Sequence, residues 1–113
     1  TGTKNPADRR KEYRDHVEHA IESEEVFLIK LADFFDNALK INDKPQEVKK
    51  RLAKKYVLLP EVFLERLKKL ETEGSTRVTP EIVTLIRSRI EETLKQLEIA
   101  IRSDMFGITN IEQ

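Results

Sequence analysis

Residues that interrupt helices are scarce in this sequence, and they stand at the edges of segments with helical periodicity. Only three glycines and four prolines occur in 113 residues, and the segments between them repeat apolar side chains at three- and four-residue spacing. Pro6 and Pro80 each follow a residue that can cap a helix, and proline is favoured at the first helical position. Together with many Glu, Lys, Leu and Ile residues, this pattern predicts an all-α protein.

The periodic segments predict a bundle of about five helices in a single domain, residues 1–113. Asn5, Ser23 and Thr79 are the expected N-caps, and Asp43 with Gln46 forms an expected capping pair before the third helix. The predicted helices are Pro6–Ile21, Glu24–Ile41, Lys44–Val57, Pro60–Glu73 and Pro80–Ser103, and a frayed tail containing Gly107 follows the last of them.

The predicted second helix is the most apolar segment of the chain, with apolar residues around most of its circumference. Such a helix is expected at the centre of a fold. One line of polar residues at three- and four-residue spacing interrupts it: Lys30, Asp33, Asp36, Asn37 and Lys40. Periodicity alone favours a hydrated face. The functional interpretation is the wall of a cleft, where a carboxylate holds a cation and Lys and Asn bind phosphate.

Composition narrows the classes of function. The 21 Lys and Arg residues balance 21 Asp and Glu residues, and this neutral chain predicts neither nucleic acid nor an anionic membrane as a partner. The absence of cysteine excludes disulfides and thiol catalysis. No apolar run approaches the ~18 residues of a membrane span, and no signal peptide is recognisable, so we expect a cytoplasmic protein.

Residues 29–39, Ile-Lys-Leu-Ala-Asp-Phe-Phe-Asp-Asn-Ala-Leu, resemble the late motif of HD-superfamily metal-dependent phosphohydrolases. The nearest pattern is that of RelA/SpoT-type guanosine polyphosphate hydrolases, which runs Lys-Leu-Ala-Asp, three residues, then Asn. The likeness covers about residues 9–41, whereas residues 44–103 match only in being helical. It implies an HD-like fold and hydrolysis of a phosphoester or pyrophosphate in a nucleotide, with guanosine polyphosphate as one candidate.

The resemblance also implies roles for individual residues. Asp33 matches the last metal ligand of the family, which holds a divalent ion, often manganese. Lys30 and Asn37 match positions that line the nucleotide pocket. Asp36 stands where guanosine polyphosphate hydrolases often have His or Tyr, so it is a further candidate and the substrate stays open. No catalytic residue is assigned.

The other metal ligands of the family, an upstream His and a His-Asp pair, have no counterpart in this sequence. Its only histidines are His16 and His19, and no His-Asp dipeptide occurs. A catalytic metal site needs several protein ligands and an open position. We therefore expect the N-terminal helices of the domain to be absent from this chain, and the isolated chain to be inert.

The two histidines are three residues apart and share a helical face, so they are a candidate weak zinc or nickel site with Asp15 or Glu12. Two hydrated histidines on a polar helix are the favoured interpretation.

Two further runs have a functional and an ordinary interpretation. A basic run with one aromatic neighbour, Tyr56, is either a patch that steers phosphate-bearing ligands or nucleic acid, or a hydrated face balanced by Glu47 and Glu61. An apolar run is either a partner surface or core. The ordinary interpretation is favoured for both. The runs are Lys49, Lys50, Arg51, Lys54 and Lys55, and Leu58, Leu59, Val62, Phe63 and Leu64.

A different class of function also fits the pattern. In this alternative the chain is a non-catalytic helical interaction module, and the long helix Pro80–Ser103 mediates self-association. Asp33 and Asn37 are then surface or structural residues.

Overall fold

A computed structural model describes residues 5–75 and 77–103. Most of these residues are helical and none of them forms a strand, which confirms the all-α prediction for this part of the chain. The tail predicted around Gly107 lies outside the described residues. The helices are α1 (Pro6–Ala20), α2 (Glu24–Lys40), α3 (Gln46–Tyr56), α4 (Leu59–Glu73) and α5 (Pro80–Ser103), and a 3-10 turn (Ile41–Asp43) links α2 to α3.

Side-chain caps start three of the helices where the sequence predicts them. The side-chain oxygens of Asn5, Ser23 and Thr79 each accept a hydrogen bond from the backbone N–H three residues further on, at 2.8, 3.4 and 3.3 Å. Each cap satisfies a donor that the first helical turn leaves unpaired, and is worth about 1 kcal/mol.

The predicted capping pair of Asp43 and Gln46 is wrong. Asp43 belongs to the 3-10 turn, and the cap position of α3 is Pro45, which makes no side-chain cap hydrogen bond. A residue before proline is pushed into extended conformation, and Lys44 accordingly has φ −92° and ψ 156°. The helix therefore begins after the proline, too late for Asp43 to cap it.

Three phenylalanines form the centre of the core. The ring of Phe63, on α4, lies 6.0 Å from that of Phe27 and 5.3 Å from that of Phe34, both on α2. All three side chains are buried, and such tilted ring pairs add to the free energy gained by burial. Leu59, Val62 and Phe63 are buried as well, so the core interpretation of the apolar run around them is confirmed.

The long helix α5 packs on α3 and α4 along its predicted stripe. Val83, Ile90 and Leu97, spaced seven residues apart, are fully buried. This spacing places them on one side of the helix. The 24 residues of α5 span roughly 36 Å, so one continuous apolar line extends over the neighbouring helices.

The expectation that α2 is the central helix is met by one of its faces only. Its buried line contacts α1, α3, α4 and α5, but no described element covers the opposite face, where Ile29 is 60% and Leu39 56% exposed. The helix thus carries more apolar surface than its neighbours can cover. Even so, within residues 5–75 and 77–103 no helix is long and apolar enough to cross a membrane.

The connection between α4 and α5 is tied to the start of α2. Gly74 ends α4 with φ 85° and ψ 143°. The hydroxyl of Ser75 donates to Oε1 of Glu24 at 2.8 Å, and it accepts hydrogen bonds from the backbone N–H groups of Arg77 (3.2 Å) and Val78 (3.1 Å). Val78 is buried, so the hydroxyl holds an apolar anchor in place.

Candidate functional site

The polar line of α2 is divided by the fold, and three of its members share a cleft. Lys30, Asp33 and Asn37 line a narrow cleft of about 40 Å³. They project from three successive turns of α2, while Tyr13 enters from α1 and Tyr56 from α3. The remaining lining residues belong to the core side of the cleft: Val17, Phe34, Leu59 and Phe63.

Burial differs among the three polar residues of this cleft. Lys30 and Asn37 are half-buried and Asp33 is exposed. A half-buried lysine packs its aliphatic stem on apolar surface and leaves its ammonium at the edge. The arrangement therefore offers one cation, one amide and one carboxylate within a single concave surface.

Asp36 and Lys40 lie outside the cleft. Their side chains form an ion pair with 2.9 Å between Oδ2 of Asp36 and Nζ of Lys40, and both are well exposed. The hydrogen bond from Lys40 and the negative charge of Asp36 raise the pKa of the Lys40 ammonium. An exposed pair of this kind contributes little to stability.

Both tyrosines of the cleft keep their protons at neutral pH. Burial raises the pKa of Tyr13, and the neighbouring Tyr56 and the carboxylate of Asp33 raise it further. Burial also raises the pKa of Tyr56. A neutral phenol is a hydrogen-bond donor and acceptor, so the cleft has two uncharged hydroxyl-bearing side chains beside its charged ones.

The described residues do not form a metal site. No three His, Cys, Asp or Glu side chains among residues 5–75 and 77–103 come close enough together to hold an ion. Asp33 offers one carboxylate and Asn37 one amide oxygen. A catalytic divalent ion needs more protein ligands than these two.

The two histidines lie on the exposed surface of α1. Both are exposed, as the hydrated interpretation predicts. His19 has its Nδ1 3.7 Å from Oε2 of Glu22. It also borders a cavity of about 280 Å³ between α1 and α4, which His16 does not line.

Lys55 of the basic run and the acidic residue Glu61 depart from the predicted hydrated face. Glu61 pairs with Arg14 of α1 at 3.2 Å. The ammonium of Lys55 lies over the ring of Tyr13, 4.5 Å from its centroid, and 5.6 Å from the centroid of Tyr56. The aromatic residue of the run therefore belongs to the same cluster as the cleft.

A second cavity, of about 540 Å³, opens between α1 and α3, and we call it the α1–α3 cavity. Arg51 and Lys55 reach it from α3, and Arg9 and Arg10 reach it from α1. The two α1 arginines are site residues that the sequence patterns did not predict. Their basic dipeptide is visible in the sequence, but only the packing of α1 beside α3 joins it to the basic run.

The cleft beside α2 and the α1–α3 cavity are both lined by Tyr13, so the two concave surfaces adjoin. The chemistry that they present suits anionic and phosphate-bearing ligands, since arginine and lysine are the usual phosphate-binding side chains. No family model, no curated protein and no solved structure matches this chain.

Proposed function

We propose that the chain is the C-terminal part of an HD-type, metal-dependent phosphohydrolase that cleaves a phosphoester or pyrophosphate bond of a nucleotide, with guanosine polyphosphate as a candidate substrate. Its helices would then belong to a bundle of about five in an HD-like domain. The observation that carries the proposal is the meeting of Lys30, Asp33 and Asn37 in one cleft. These are the three polar positions among those at which residues 29–39 resemble the family motif.

The side chains of the cleft would act on the substrate through charge and hydrogen bonds. The ammonium of Lys30 would bind a phosphate oxygen as a point charge. The amide of Asn37, one turn from Asp33, has both a donor and an acceptor with which to orient a phosphate or a base. Tyr13, protonated at neutral pH, would donate from the opposite wall.

Asp33 would supply one ligand to a divalent ion, for which manganese is the candidate. Because the described residues offer no complete ligand set, the other ligands would have to come from beyond them. The cleft of about 40 Å³ is also far smaller than the ~300–1,000 Å³ of a typical ligand pocket.

The test is hydrolysis by the protein purified at its native length from its source, whose mass also gives that length. We expect manganese-dependent release of phosphate or pyrophosphate from a nucleotide panel that includes guanosine polyphosphates. Asp33→Ala should abolish this release with little change in the free energy of unfolding, because Asp33 is exposed.

Asp43→Ala is the matched control, since it removes an exposed carboxylate outside the cleft and should leave the rate unchanged. The proposal is rejected if the native protein has no such activity, or if its activity survives in Asp33→Ala.

A second candidate function, a helical interaction module, is favoured by a separate observation. Large apolar side chains are exposed on α5, where Leu85 is 69% and Ile99 56% exposed, and Ile82 is also exposed. Their spacing places them on one side of the helix. Exposed apolar surface of this kind is typical of protein–protein contacts, so self-association through α5 is the specific form of this proposal.

Sedimentation velocity of the purified chain tests self-association. A chain that associates through α5 should become monomeric when Leu85→Glu is introduced. Lys11→Gln lowers the net charge by the same single unit at an exposed position of α1 and should leave association unchanged. A monomer at all accessible concentrations rejects this second function.

A further inference from the structure

The α1–α3 cavity has a lining that no part of the proposed hydrolase explains. Four of its seven lining residues are cations, and among the described residues no aspartate or glutamate lines it. The full lining consists of Pro6, Arg9, Arg10, Tyr13, Arg51, Leu52 and Lys55. Its volume of about 540 Å³ lies within the range of small-molecule pockets, roughly 300–1,000 Å³.

Like charges brought into one concave surface repel each other, and a bound anion removes that repulsion. The four cations come from two different helices, so they surround the space rather than following one exposed stripe. Arg9 and Arg51 are exposed, whereas Arg10 and Lys55 are half-buried. Planar guanidinium groups bind phosphate through two parallel hydrogen bonds, a geometry that lysine lacks.

Lys55 is held in place before any ligand binds. Its ammonium lies 4.5 Å from the centroid of Tyr13 and 5.6 Å from that of Tyr56. A cation held over aromatic faces loses less conformational freedom when it binds an anion. Leu52, Pro6 and the ring of Tyr13 add apolar surface between the cations.

We infer that the α1–α3 cavity binds a small molecule that carries a run of phosphate groups. Three arginines and one lysine can neutralise several negative charges at once, which suits a tri- or polyphosphate better than a single phosphate. The run could belong to inorganic polyphosphate or to a nucleoside polyphosphate, since both present the same charged groups. The inference does not depend on the proposed hydrolase, because it concerns binding by other residues of this chain.

A small molecule is favoured over nucleic acid by charge and by shape. The chain has a formal net charge of zero, whereas nucleic-acid-binding domains are usually basic overall. The positive groups are also gathered around one cavity. Nucleic acid would require them to extend along a groove that follows the phosphate backbone.

The experiment is isothermal titration calorimetry of the purified chain with inorganic phosphate, tripolyphosphate and GTP at equal ionic strength. We expect one tripolyphosphate per chain, bound at least about tenfold more tightly than phosphate, because each charge-assisted hydrogen bond adds to the affinity. Affinity should fall as salt rises through the physiological range. If GTP binds more tightly than tripolyphosphate, the ligand is a nucleoside polyphosphate. If the two bind equally, the phosphate run alone is recognised. Both results support the inference.

The decisive variant is Arg9→Gln with Arg51→Gln, which removes two exposed charges, one from each helix. It should weaken tripolyphosphate binding at least about tenfold. The matched control, Lys68→Gln with Lys95→Gln, removes two exposed charges on α4 and α5 and should bind within about twofold of the parent chain.

Several results would overturn the inference. The first is that tripolyphosphate does not bind. The second is that the control and the double variant lose the same amount of affinity for it. The third is that a single-stranded RNA oligomer binds more tightly than tripolyphosphate. If the double variant loses its helical circular dichroism, backbone amide chemical shifts of the parent chain decide. Shifts on adding tripolyphosphate should centre on residues 6–13 and 51–55, and shifts centred elsewhere overturn the inference.

Discussion

The ammonium of Lys55 lies 4.5 Å from the centroid of the Tyr13 ring and thereby joins α3 to α1. Tyr13 is the residue that the cleft and the α1–α3 cavity have in common. The contact therefore fixes the wall between two concave surfaces of different character. One surface carries the polar line of α2, and the other carries cations from α1 and α3.

The contribution of this contact is measurable with two substitutions of Tyr13. Tyr13→Phe keeps the aromatic face and should change the free energy of unfolding by less than about 0.5 kcal/mol. Tyr13→Leu keeps apolar bulk but removes the face, and should cost about 0.5–1 kcal/mol more than Tyr13→Phe. Urea unfolding measures both, and equal losses in the two variants would show that Lys55 gains nothing from the ring.

Stability should fall in the alkaline range because of the two tyrosines. Burial is the largest cause of the raised pKa of both Tyr13 and Tyr56, so the folded chain holds their protons at pH values where the unfolded chain releases them. The free energy that they contribute is fully present below the unfolded pKa of about 10. It is lost as the pH rises from there through the folded pKa values.

Absorbance at 295 nm follows ionisation of the phenols separately from that of the lysines, and urea unfolding at matched pH gives the stability. The double variant Tyr13→Phe with Tyr56→Phe should flatten part of the alkaline decline. A decline of unchanged steepness in that variant would assign the effect to other groups.

Truncation of the core at Phe34 should be severe. Phe34 is 2% exposed, and its ring centroid lies 5.3 Å from that of Phe63. Phe34→Ala therefore leaves a cavity and should lower the free energy of unfolding by about 3–5 kcal/mol. Phe34→Leu, which keeps most of the volume, should cost clearly less. Ile29→Ala, on the exposed face of the same helix, should stay within about 0.5 kcal/mol. Thermal unfolding monitored by circular dichroism ranks the three, and similar losses at positions 29 and 34 would contradict the described burial.

Replacement of Gly74 should destabilise through the backbone alone. Its φ of 85° and ψ of 143° lie in a region that side chains with a Cβ rarely adopt, at a cost of about 1–3 kcal/mol. A Cβ placed there would meet no atom within 4 Å, so crowding adds nothing. Asn tolerates the left-handed helical region but not this one, and Gly74→Asn should therefore be as unfavourable as Gly74→Ala in urea unfolding. Recovery of stability by Asn would show that the residue is in the left-handed helical conformation.

The parts of the fold that could be predicted from sequence are those determined by neighbouring residues. The caps at Asn5, Ser23 and Thr79 depend on atoms three residues apart, so the sequence contains the whole signal. Periodicity likewise identified the buried line of α5, because Val83, Ile90 and Leu97 share one side of any helix that contains them.

What could not be predicted depends on which helices become neighbours. The sequence shows that Ile29 and Leu39 are apolar. It does not show that they are exposed, because that depends on whether another helix covers their face of α2. In the same way, Arg9 and Arg51 are 42 positions apart in the sequence, and only tertiary packing makes them line one cavity. The polar line of α2 was recognised, yet its division between the cleft and the outward pair of Asp36 and Lys40 depends on where α1 lies.

The hydroxyl of Ser75 has a consequence for how the chain unfolds. It links the backbone of Arg77 and Val78 to Glu24, so these two residues are tied to the start of α2. Nicking by proteases concentrates at loops that can leave the surface, so the exposed Arg77 is expected to resist trypsin for as long as α2 is folded. We therefore expect the last helix to unfold together with the second, so that the amide hydrogens of both exchange with solvent in a single opening event.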